Sequence, residues 1–308
     1  MSGRVAASAV GLGLIGMVMF AGTLPATVLA LDGFGPVFIA AGRAVVAAAL
    51  SGALLVVTRQ RWPRGREIGQ LVLIAACLVI GFPLFSGLAM QTVGAGHGGV
   101  VLAIMPLATA IAGAVVGGER LPPAFWALSV CGAAIVSVFT LSRAGWSLSP
   151  GDGFLVIAAA LAGLGYATSG VMARSRPGWS VTAWALVISL PFTIPVSAMS
   201  MPAVWPQSGA AVAGFAYLAI VSMFLGFVFW NVAMAMGGIA KVGQIQLLQP
   251  FVTIAMAAVV THETLNAVEL AFAAAVVVVV AAAQRVRVRE APAAIAPAES
   301  GERASAVR

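Results

Sequence analysis

Ten apolar stretches follow one another along most of this 308-residue chain, with only short polar punctuation between them. A bilayer core is roughly 30 Å thick, and about 20 apolar helical residues cross it. The stretches run Val5–Leu29, Phe34–Val57, Ile68–Ala89, Gly98–Val116, Ala124–Leu141, Phe154–Met172, Val181–Met199, Ala211–Met236, Val242–Val260 and Ala267–Ala283. Only 8% of residues are charged and 61% are hydrophobic, too little charge to cover a water-facing surface. The sequence therefore predicts an all-α integral membrane protein with ten transmembrane helices. The first stretch is long for a leader and is expected to be retained as a helix. Residues 285–308 are rich in Ala, Pro, Glu and Arg and predict a disordered cytoplasmic tail.

The basic residues fit this count. With the N-terminus inside, alternation puts fourteen of the sixteen Lys and Arg on the cytoplasmic face. Arg43 lies within a span and only Arg143 falls outside. The net charge of +7 is thus a topology signal, and no nucleic-acid partner is expected. Cys77 and Cys131 both lie in apolar stretches and read as packing residues.

The chain also repeats. Sliding it by 144 residues aligns 89–121 with 233–265 without a gap, and eleven of the 33 pairs are identical. Among them are Gly94 with Gly238, Pro106 with Pro250, Thr109 with Thr253 and Glu119 with Glu263. Five helices per repeat is an odd number, so the second copy enters the membrane inverted. The expected halves are 1–145 and 146–284. Inverted repeats point to a secondary transporter with its site near the midplane, between the halves.

Intramembrane polar groups are few, and each is a site candidate. Gln246 and Gln249 lie one turn apart, and Pro250 and Thr253 continue their face. Amides, a hydroxyl and the carbonyl that Pro250 frees suit a solute with donors and acceptors; interhelical packing is the plain alternative. Gln244 lies off that face. Trp230, Asn231, Trp184 and Tyr166 complete the candidate binding set, with ordinary core packing as their alternative. Arg43 either binds a substrate carboxylate or pairs with helix-end carbonyls or Asp32, and the structural role is preferred. Glu119 and Glu263 close their helices and are expected to fix loops through backbone bonds, with gating or proton binding as the other reading. His97 is titratable in a short Gly-rich outer loop. Pro25, Pro83, Pro106, Pro191, Pro195 and Pro250 are candidate kinks. No metal or cofactor is expected. Two histidines and no paired mid-span carboxylates argue against an intramembrane enzyme.

Three motifs carry a resemblance: Ala41-Gly42-Arg43-Ala44, the run from Pro106 to Gly118-Glu119-Arg120-Leu121, and Gln244-Ile245-Gln246-Leu247-Leu248-Gln249-Pro250-Phe251 followed by Glu263-Thr264-Leu265. The chain resembles the EamA-like branch of the drug/metabolite transporter superfamily. It departs at Thr261-His262-Glu263, where Gly more often precedes the Glu. The resemblance implies ten helices, both termini inside, a central cavity and alternating access in a bacterial plasma membrane. The expected partners are a small polar solute, metabolite or amino acid, and the lipid bilayer. Multidrug or cation efflux is the alternative within transport, and a scaffold or sensor the alternative outside it. A homodimer is left open.

Overall fold

Helices that are apolar around their whole circumference need lipid or a bundle interior on every side. The computed structural model describes residues 3–117, 122–143, 149–173, 175–237, 244–264 and 266–285. Among these residues the chain is helical, with no strand. Glu119 and the expected tail, 286–308, lie outside them.

The first rod is α1 (Gly3–Ala21) and α2 (Thr23–Leu31), followed by α3 (Pro36–Val57). Then come α4 (Arg66–Ile74), a π segment (Ala75–Gly81) and α5 (Phe82–Ala89) in one rod. The next is α6 (Ala95–Leu102) and α7 (Met105–Gly117), followed by α8 (Pro123–Arg143). The second half has α9 (Pro150–Met172), α10 (Gly178–Met199), and a rod of α11 (Gly209–Ala216), a π segment (Tyr217–Gly226) and α12 (Phe227–Gly237). A 3₁₀ turn (Gln244–Leu248) leads into α13 (Gln249–Val260), and α14 (Ala267–Arg285) closes the fold. Seven rods are long and apolar enough to cross a bilayer; Pro123–Gly132, Gln249–Val260 and Ala267–Val279 are shorter apolar stretches.

The interruptions recur in register with the repeat. The helical segments after the breaks begin at Met105 and Gln249, 144 residues apart, each with proline in second place. Expected here were continuous kinked spans. The structure instead interrupts them, because proline has no N–H for the carbonyl four residues back and disfavours helix in the residue before it. Both rods with π segments carry them at matching places, Ala75–Gly81 and Tyr217–Gly226. Pro83 follows the first; no proline stands beside the second, and the structure gives no local cause for it.

Packing pairs α3 with α10, α7 with α9, α1 with α12 and α8 with α14. Close approach relies on glycine at α9: a Cβ on Gly163 would stand 2.7 Å from the carbonyl carbon of Ala108 on α7. The outer surface carries Val56, Val57, Val115, Val130, Ile194 and Val278, all exposed. Such a girdle is stable facing acyl chains and would drive association in water.

Candidate functional site

A cavity with about 60 Å³ of water-accessible space lies where the two interrupted helices meet. Leu102, Ala103 and Met105 line it from one break, and Gln246, Gln249 and Pro250 from the other. Pro106 has no N–H for the Leu102 carbonyl, and Pro250 none for that of Gln246. Leu78 and Ser222, 144 residues apart in the two π segments, face the same space. Interrupted helices meeting at a central cavity put unpaired backbone polarity where a solute can reach it.

The polar side chains around this cavity divide into two groups. One group ties helices together. Pro25 has no N–H for the Ala21 carbonyl, and Thr253 Oγ1 donates to that carbonyl across the halves at 3.0 Å. Thr23 Oγ1 and Ser222 Oγ share a hydrogen bond of 2.8 Å. The other group is Gln246, Gln249, Tyr166 and Arg43. All four line the cavity, and none has a side-chain hydrogen bond with a described residue. The Arg43 Nε is buried without a partner.

The remaining candidates stand elsewhere. Trp230 is buried against Phe20, with ring centroids 6.2 Å apart. Asn231 Nδ2 donates to Thr182 Oγ1 on α10 at 3.4 Å. Trp184 packs edge-on against Trp62 at 4.6 Å. None of these three lines the cavity. The Gln244 side chain and Glu119 lie outside the described residues.

A second, wider opening of about 580 Å³ of water-accessible space lies beyond α6. Glu263 closes on the α6 N-terminus, its two oxygens accepting from the N–H groups of Ala95 (2.8 Å) and Gly96 (3.0 Å). A carboxylate is well placed there, because helix N-termini present unpaired N–H groups and a partial positive charge. His97 Nε2 shares a 2.7 Å hydrogen bond with Asp152 Oδ1, and its ring lies 4.8 Å from that of Phe139. Asp152 also belongs to the capping box of α9, through the Ser149 backbone N–H. Buried Glu269 lines this opening too. The α6 helix thus runs from the opening, at Gly94 and His97, to the cavity, at Gly99 and Leu102.

At the opposite end, Arg176 fastens the second half to the first. Its guanidinium donates to both Glu67 oxygens (3.0 and 2.9 Å) and to the carbonyls of Arg61 (2.7 Å) and Trp62 (3.1 Å). Trp205 repeats the Trp62 arrangement in the other half, standing 5.1 Å from the Phe34 ring. These partners escape a search for intramembrane polar groups, because they stand at span ends. Two signals mark them: Ser149-Pro150-Gly151-Asp152 has capping-box spacing, and Trp62-Pro63 recurs as Trp205-Pro206.

Known proteins agree with this architecture. The EamA-like transporter family matches the chain twice, over residues 7–142 and 149–283. The chain is 43% identical to the uncharacterized transporter YdeK of Bacillus subtilis (strain 168), over 82% of this chain and 89% of that one. It is 28% identical to a probable terminal-alkyne amino-acid exporter of Streptantibioticus cattleyicolor, over 73% and 76%. A solved crystal structure shares the fold with a TM-score of 0.62 at 21% identity, over 90% of this chain and 98% of that one. With two family matches over nearly its whole length, a repeated architecture and helices built for lipid, this multi-pass membrane protein belongs to the EamA-like transporter family.

Proposed function

We propose that the chain is a secondary transporter that exports a small polar metabolite or amino acid by alternating access. In this reading it crosses a bacterial plasma membrane ten times, in two inverted five-helix repeats with both termini cytoplasmic. One observation carries the reading: breaks 144 residues apart meet at a cavity whose free polar groups are Gln246, Gln249, Tyr166 and Arg43. The transporter names of the relatives support it, and the exporter's name supports an amino acid in particular. A cationic drug is disfavoured, because the described lining holds a guanidinium and no carboxylate.

The test is solute counterflow in proteoliposomes preloaded in turn with amino acids, nucleosides, sugars and a quaternary amine. Accumulation of one class establishes transport and its substrate class. Silence for all four with folded, inserted protein would sink the transport reading. Gln246→Ala and Gln249→Ala should each lower the counterflow rate about tenfold at unchanged protein level, the loss expected for one buried hydrogen bond of 1–1.5 kcal/mol. Gln244→Ala should leave it near wild type. Equal loss of protein for all three would make the glutamines packing residues.

A further inference from the structure

Among the described residues, Arg43 is a buried cation without a partner. The residue sits on α3, 3% exposed, and lines the central cavity. No described residue hydrogen-bonds or ion-pairs with its guanidinium, and its Nε is buried unsatisfied. Asp32, on the same side of the sequence, forms no ion pair with it. A buried charge without a partner is strongly disfavoured, and chains that keep one in the membrane usually use it. Elsewhere this chain pairs its buried charges: Arg176 has Glu67 and two carbonyls, and Asp152 has His97. Arg43 is the contrast.

We infer that Arg43 is the anchor for a carboxylate, and that the solute is a small zwitterionic acid. This rests on the transport reading above. A guanidinium offers a planar fork of donors that matches a carboxylate with two parallel bonds. The same cavity supplies the other half of a zwitterion. In this reading the Leu102 carbonyl, which Pro106 cannot serve as a helical donor, accepts from the ammonium. The Gln246 and Gln249 amides and the Tyr166 hydroxyl add neutral donors and acceptors around it. The cavity is small, with about 60 Å³ open to water, which favours a compact solute.

The experiment compares an amino acid with its carboxamide, which keeps the ammonium and loses the negative charge. In detergent, a panel of short amino acids should raise the unfolding temperature of the wild-type protein, and the matched amides should not. In proteoliposomes, Arg43→Gln should cut counterflow of the acid by about thirtyfold or more, the loss typical of removing one partner of a buried charge pair. Arg43→Lys should retain part of the activity. The unfolding temperature of the ligand-free Arg43→Gln protein should stay level or rise, because an unpaired buried charge has been removed. A purely structural arginine gives the opposite: ligand-free Arg43→Gln unfolds earlier, while wild-type protein treats acids and amides alike. That pair of results overturns the inference and leaves transport standing. Absence of counterflow for every solute class overturns the transport reading itself.

Discussion

At the scale of single residues, His262 shows how one backbone angle serves a neighbour. Its φ is 56°, in the left-handed region that a β-carbon makes unfavourable. The sharp turn delivers Glu263 to the N–H groups of Ala95 and Gly96, and Thr261 Oγ1 donates to the same carboxylate at 3.0 Å. The glycine more usual before this glutamate in the family would adopt the turn without strain. His262→Gly should therefore stabilise the protein by about 1 kcal/mol, with transport intact, as read by thermal unfolding in detergent. A fall in unfolding temperature would show that the imidazole does more than occupy the turn. Legibility at this scale follows chemistry. Gln246, Gln249 and Pro250 were readable because amides and a proline stand out in an apolar span. The placement of Trp184 and Trp230 was not, since a helix apolar on all sides carries no mark of which face meets a cavity. Nor was the His97 partner, because Asp152 is 55 residues away in sequence.

At the scale of elements, the sequence shows where helices weaken but not how. Prolines at 25, 106 and 250 mark weak points, whereas Pro191 and Pro195, expected to kink as well, lie inside the uninterrupted α10; the freed Ala21 carbonyl and its Thr253 donor emerge only when helices from both halves are assembled. The loop tryptophans behave likewise. Trp62 reaches from the loop before α4 to Trp184 on α10, and Trp205 reaches from the loop before α11 to Phe34 and Phe38. Each half thus lays an indole across the other, at opposite ends of the bundle. Trp62→Ala and Trp205→Ala should loosen opposite faces. The check uses Leu78→Cys in the cavity as reporter, with Cys77 and Cys131 changed to Ser, and a membrane-impermeant maleimide added on one side at a time. Trp62→Ala should raise labelling from the face of the loop before α4, and Trp205→Ala from the other. Unchanged labelling in both would make the indoles simple packing.

At the scale of the whole molecule, the two halves hold each other through many separate ties. Arg176 with Glu67, Glu263 with α6, His97 with Asp152, and Thr253 with Ala21 all run between them. Chains split between residues 145 and 146 and produced together should therefore copurify and restore counterflow, while either half alone should aggregate or be degraded. Failure to copurify would mean that the covalent link between α8 and α9 carries the association. The apolar spans were legible because lipid dictates their length, and the two-part build because the 144-residue period stands in the sequence itself. The shared devices of the halves, Pro106 with Pro250 and Trp62 with Trp205, cannot distinguish one face from the other. The fastenings that differ can. One end is held by an arginine with four charge-assisted bonds, the other by a glutamate on a helix start and a histidine on an aspartate. Under the alternating access proposed above, two equivalent doors would have no preferred resting side, so any polarity would be written in the residues that the two copies do not share.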